Sequence, residues 1–279
     1  MATYEIYWEG FPGEKPSPVE FKENYTGSSQ YVYDITLGQL FKTNSTIERK
    51  VISLVEVGTP QIAEAALVLV SSSATGTNAG PCVRSGGTSH SDFSGYVANI
   101  SGDSPFELRL TKYFNGSISQ VKTGINTKGL APATGYCAKI RAEGTSLKAK
   151  FWALDTSEPL DWDIEASDSS LTAGEVGIFS ANIGTYKFGK LSIGTDGSSA
   201  PALYYQLTGT VRDEDNNPVE CDVVAIDRIT KHFATQSKST SGGSFTLNVP
   251  KSNPYAVIAF DDVGNRNAVI KDKIVPIAL

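Results

Sequence analysis

Asp161-Trp-Asp163-Ile-Glu165 is the segment of this chain whose residue types could cut a bond. On a strand, positions i, i+2 and i+4 bring the three carboxylates to one face. A retaining glycosidase needs a nucleophile and a proton donor with carboxyl groups about 5–5.5 Å apart, and this spacing fits that requirement loosely. A second acidic cluster, Asp213-Glu-Asp-Asn-Asn217, carries oxygen ligands of the kind calcium takes. Pro218 stands there in place of the glycine that a helix-loop-helix calcium loop requires, and such a cluster between two strands reads as a turn. His90 and His232 stand alone, and Cys82, Cys137 and Cys221 lack CxxC spacing, so neither a zinc site nor a catalytic triad assembles around them. Buried thiols, surface or partly buried histidines, no metal and no cofactor are the expectation.

A binding site is the other chemistry that the residue types suggest. Between Tyr136 and Trp152, period-two reading places Tyr136, Ala138, Ile140, Leu147, Ala149 and Phe151 on one face, and Cys137, Lys139, Arg141, Lys148, Lys150 and Trp152 on the other. Gly144-Thr-Ser146 supplies the turn. If this hairpin lies in the concave sheet of a sandwich, its polar side lines a groove of Arg141, Lys148, Lys150 and Trp152, with Arg109 and Tyr113 placed beside them. Sugar binding needs an aromatic platform and fixed donors and acceptors, and this set holds both. The alternative is that Trp152 packs under a loop and the lysines form a solvated face.

The elements that must position these residues read as strands. Tyr4, Ile6 and Trp8 alternate ahead of a Pro/Gly-rich link from Phe11 to Pro18, which suits an edge strand or an attachment arm over residues 1–35. Strands are expected over 47–57, 63–70, 80–84, 95–100, 106–114 and 118–123, with Asn115-Gly116 as a hairpin turn; 63–70 could also form one short helix, but its run of Leu67-Val-Leu-Val70 into a polar loop favours the strand. Phe106, Leu108 and Leu110 share one face of the fifth, and Glu107, Arg109, Thr111 and Tyr113 the other. Polar loops 71–80 and 85–94 are candidate rim or connector segments. Gly194 to Pro201 has the composition of a linker. Beyond it, strands are expected over 207–211, 221–227, 244–250 and 255–260. The expected class is all-β: an antiparallel two-sheet jelly roll over 36–200, then a small sandwich over 203–279.

Composition narrows the functions. A formal charge of −6 and the lack of a basic cluster argue against nucleic-acid binding. The start has no basic n-region with an apolar h-region, and the longest apolar run, Ala65 to Val70, is far short of a membrane span, so a soluble chain made in a cytoplasm is expected.

Residues 45–195 resemble a concanavalin/laminin-G-like jelly roll. The likeness is carried by Gly95-Tyr96, Leu108-Arg-Leu110 with Asn115-Gly116, Arg141 with Gly144-Thr145, and Lys148-Ala-Lys-Phe-Trp152, then Glu158-Pro159 with Trp162, Asp168 with Ser170-Leu171, and Gly174 with Val176-Gly177. Residues 205–279 resemble a carboxypeptidase-regulatory-like, transthyretin- or Ig-like sandwich through Leu207-Thr-Gly-Thr-Val211, Asn217-Pro-Val219, Thr240 to Phe245 and Tyr255 to Ala259. The first resemblance implies that Glu158-Pro159, Trp162 and the nearby aspartates are packing and turn residues rather than catalysts. Together the modules are similar to virion proteins of tailed bacteriophages. That implies a tail or fibre component recognising host-surface glycan, or alternatively a capsid or tail decoration or cementing protein, with a glycan hydrolase as a third reading. Implied partners are other virion proteins and copies of the same chain within the particle.

Overall fold

The computed structural model describes residues 2–7, 21–23, 31–34, 39–44, 50–71, 78–88, 91–100, 106–154, 156–181, 184–229, 231, 233–249, 253–260 and 269–278. Trp8, the Phe11–Pro18 link, residues 72–77 and both histidines lie outside the described residues. The chain divides into two units, Met1–Leu203 and Tyr204–Leu279.

The first unit holds β1 (Ala2–Tyr7), β2 (Phe21–Glu23), β3 (Tyr31–Asp34), β4 (Gln39–Asn44), β5 (Lys50–Leu54), β6 (Ala63–Ser71), β7 (Asn78–Gly86) and β8 (Ser94–Ile100). It continues with β9 (Glu107–Phe114), β10 (Ser117–Ile125), β11 (Tyr136–Glu143), β12 (Ser146–Trp152), β13 (Ile164–Ser167), β14 (Glu175–Ala181) and β15 (Gly184–Thr195). These build an all-β jelly roll of two antiparallel sheets. One has the order β13-β12-β11-β6-β15-β4-β3, with β1 also on β15, and the other is β10-β9-β8-β7-β14-β5-β2. Segments of residues 1–35 therefore belong to the sheets: β1 pairs with Lys190 to Thr195, β2 with β5, and β3 with β4. Asn115 and Gly116 take φ of 45° and 74°, the left-handed pair that a two-residue hairpin turn demands.

Alternation explains the core. Tyr136, Ala138, Ile140, Ala142, Leu147, Ala149 and Phe151 from the first sheet meet Val83, Tyr96, Ala98, Ile100, Leu108, Leu110, Val176 and Ile178 from the second. Removing this apolar area from water is the main stabilising contribution, at about 25 cal/mol per Å². Two core strands do not show a simple period of two. In β15, Tyr186 and Phe188 point inward, a register shift follows, and Leu191 and Ile193 point inward again, so the inward positions are three apart at the bulge. In β14, Val176 and Ile178 face the core while Phe179 and Ala181 are buried in a second cluster, leaving no polar face to alternate with.

The second unit consists of β16 (Tyr205–Thr210), β17 (Asp222–Asp227), β18 (Phe233–Lys238), β19 (Ser244–Val249), β20 (Tyr255–Phe260), β21 (Val269–Ile274) and β22 (Ile277–Ala278). They form antiparallel sheets β19-β16-β22 and β18-β17-β20-β21. Leu207, Leu247 and Val249 of one sheet, and Val223, Ala225, Tyr255 and Val257 of the other, are the buried positions of alternating strands.

Candidate functional site

The inward row of the β11–β12 hairpin forces Cys137, Lys139, Arg141, Lys148, Lys150 and Trp152 onto the outer face of the first sheet, paired as Cys137–Trp152, Lys139–Lys150 and Arg141–Lys148. That face is not an open groove. Lys139, Lys150 and Trp152 are only 3, 6 and 4% exposed, because two segments of the same chain lie against it.

The first covering segment follows β12. Its Glu158 carboxylate binds the ammonium groups of Lys139 at 2.7 Å and Lys150 at 2.6 Å. Lys150 also donates to the Pro159 carbonyl at 2.7 Å, and its Nζ sits 4.8 Å from the ring centroid of Trp162. The second is the stretch after β15. Lys139 donates to Ala200 O, Ser192 to Pro201 O and Lys190 to Ala202 O, while the Ala200 amide donates to Glu64. A Cβ on Gly194 would lie 2.4 Å from Ser198 O, so only glycine lets this stretch approach the strand. The segment expected to be a linker is thus docked through residue 203. Backbone carbonyls and buried cations meet each other's hydrogen-bonding needs there, which a flexible linker would leave to water.

Glu64 joins the two halves of the network. It contacts Lys139 at 3.2 Å and Arg141 at 3.1 Å. Arg141 also reaches Glu143, and that hydrogen bond, opposed by burial and reinforced by Glu64, raises the guanidinium pKa further. Lys190 pairs with Glu5 of β1 at 2.7 Å. Lys148 is the more exposed member of the expected set and pairs with Glu165 at 2.7 Å.

Arg109 and Tyr113 do not join this surface. Both lie on β9 of the opposite sheet, so the six expected groove residues divide between two sheets. Arg109 pairs with Glu107 at 3.2 Å. Tyr113 is 2% exposed and packs with Phe93 and Phe179 at ring separations of 5.2 and 4.7 Å. Strand alternation, correctly read, decided which face of β9 each residue takes; it carried no information about which sheet β9 joins.

The acidic alternation is also broken up. β13 begins only at Ile164, so Asp161 and Trp162 belong to the preceding loop. Asp163 accepts the Phe151 amide at 2.7 Å and binds Lys128 at 2.8 Å. β13 is an edge strand, and Glu165 is taken by Lys148. In the second unit, Asp213 closes a turn by accepting the Asn217 amide at 2.8 Å. Among the described residues, no group of three or more His, Cys, Asp and Glu side chains is placed to hold a metal ion.

At one rim, a buried cluster that the sequence reading missed ties the sheets together. Arg84, 2% exposed, donates to the carbonyls of Gly144, Leu171 and Gln61 at 2.8, 2.8 and 2.9 Å. Burial lowers its pKa. Tyr96 OH donates to Asp168 at 2.6 Å and accepts the Leu171 amide, and burial with Asp168 nearby pushes the phenol well above its usual range. Burial alone would raise Asp168, but hydrogen bonds from Lys112, Tyr96 and Ser170 outweigh it and hold the carboxyl well below the usual carboxylate range. The available signal was Asp168 with Ser170-Leu171, conspicuous in sequence but without an evident partner.

No family profile matches the chain, and no curated protein is detectably similar in sequence. Its fold does align with solved structures. Carbohydrate-binding module CBM66 from Bacillus subtilis aligns at 16% identity and a TM-score of 0.47, covering 61% of this chain and 94% of that one. A Bacillus licheniformis β-glucanase aligns at 10% identity and 0.49, covering 70% and 99%. A legume lectin-like domain from Entamoeba histolytica aligns at 12% identity and 0.41, covering 63% and 90%. At these scores the alignments carry no argument about ligand or activity, and the fold assignment rests on the two sheets themselves.

Proposed function

We propose that this chain is a non-catalytic structural protein of a tailed-bacteriophage particle whose jelly roll serves carbohydrate recognition at the particle surface. The observation that supports a binding rather than a hydrolytic role is the use made of the acids. Asp163 is engaged by a backbone amide and Lys128, and Glu165 by Lys148, so neither is poised as a nucleophile or proton donor. The order of the two β modules is what links the chain to phage particles, with other virion proteins and copies of itself as partners.

The burial of Lys139, Lys150 and Trp152 under their own chain favours a second reading, a capsid or tail decoration or cementing component that binds no glycan. A glycan array, paired with an assay for released reducing ends, separates these readings. Binding without hydrolysis is the expected result. Hydrolysis that disappears in Asp163→Asn overturns the non-catalytic reading, and incorporation into particles by a chain that binds no glycan favours decoration.

A further inference from the structure

The face expected to hold sugar is closed, but the segment that closes it has an outer surface of its own. Leu160, Asp161 and Trp162 of that segment keep surface in solvent. Leu160 is 95% exposed, the most exposed of the large apolar side chains described. Asp161 beside it is exposed, and Trp162 retains partial exposure while lying over Lys150. Lys150 does not need the indole to satisfy its charge, since Glu158 and the Pro159 carbonyl already take its ammonium at 2.6 and 2.7 Å. Lys150 therefore takes one face of the ring, and Trp162 keeps part of its surface in solvent.

The segment is also held firmly. Glu158 binds two buried lysines from neighbouring strands, and just beyond Trp162 the Asp163 carboxylate accepts the Phe151 amide. A ring fixed by such contacts loses little conformational freedom when a ligand stacks on it. The ammonium behind the ring engages its π-face and helps to fix its orientation.

We infer that Leu160, Asp161 and Trp162 form a binding platform for a neutral saccharide. The apolar face of a sugar ring stacks on the exposed indole, Leu160 extends the apolar contact, and the Asp161 carboxylate accepts hydroxyl protons. A carboxylate at the platform and a chain charge of −6 disfavour anionic glycans. This inference rests on the carbohydrate-recognition reading and specifies the site and ligand class within it.

The test uses the full chain and immobilised maltohexaose, laminarihexaose and lacto-N-neotetraose, with sialyllactose as the anionic counterpart. The expected result is binding to at least one neutral probe and not to sialyllactose. Trp162→Ala should weaken it roughly tenfold or more, since tryptophan anchors commonly dominate such contacts. Trp162→Phe should retain part of the affinity. Leu160→Ser, at a position with almost no packing to lose, should weaken binding severalfold with unchanged thermal unfolding, which separates the site from a folding defect. Binding by the parent chain that neither Leu160→Ser nor Trp162→Phe alters overturns the platform while leaving carbohydrate recognition standing. No binding to any neutral probe overturns both.

Discussion

On the outer side of the eight-stranded sheet, Lys139, Lys150 and Lys190 are buried under two segments of their own chain and held by Glu64, Glu158, Glu5 and backbone carbonyls. On the outer side of β7, β8, β9 and β14 in the seven-stranded sheet the cover is different, with Cys82, Phe93, Val97, Tyr113, Phe179 and Ala181 forming a second apolar cluster in which Phe93 stacks on Phe179 at 5.2 Å. A seal made of charges is specific and brittle. Each ion pays desolvation that only a correctly placed partner offsets, and losing one partner leaves another charge buried alone. A seal made of rings is less directional and tolerates exchange of one apolar shape for another.

The largest expected effect follows from that difference. Glu64→Ala removes one of the two carboxylates held by each of Lys139 and Arg141, and the acceptor of the Ala200 amide, at once; with Glu158 and Glu143 left to the two cations it should cost up to about 3–5 kcal/mol in urea unfolding, the range for breaking a buried pair. Phe93→Leu in the aromatic seal keeps an apolar side chain and should cost less than about 1.5 kcal/mol. Equal costs for the two variants would erase the distinction between the seals.

The same contrast governed what could be read from the sequence. The β11–β12 hairpin and its inward row were legible because alternation and turn chemistry are local. The fate of its outward row was not. Lys139 and Lys150 alternate with apolar residues like any solvated face, and the acid that pairs with both, Glu158, lies in a loop whose path no periodicity encodes. β15 was obscured by its bulge, and β14 by being buried on both faces. The separation of Arg109 from Arg141 depends on which sheet each strand joins, a property of long-range pairing rather than of either segment.

A smaller effect is expected at the rim, where Asp168 accepts Tyr96 of the second sheet and Lys112 pairs with it. Its carboxyl is held below the ordinary range in the folded chain. The stabilisation is therefore complete above the unfolded value, about 3.9, and is lost as pH falls below it. Asp168→Asn should cost about 1–3 kcal/mol at neutral pH. The gap between variant and parent should narrow when unfolding is repeated below about pH 4. A gap that stays constant down to strongly acid pH would mean that the charge of Asp168 contributes nothing to holding the sheets together.

The smallest effect is one expected to be nearly zero in the parent, and it reads the two seals separately. Cys137 lies on the charge-sealed face and Cys82 in the aromatic cluster, and both thiols are buried. Burial, partly offset by hydrogen bonds from Ser85 and Gly177, pushes the Cys82 pKa up to about 12, leaving almost no thiolate to react at neutral pH. In the native chain, maleimide should modify neither residue faster than global unfolding permits. In Glu64→Ala, loosening of the covering segments should make Cys137 reactive first, with Cys82 still protected, as peptide mapping by mass spectrometry would register. Simultaneous labelling of both would show that losing one buried carboxylate opens the whole sandwich, and that the two faces are a single cooperative structure.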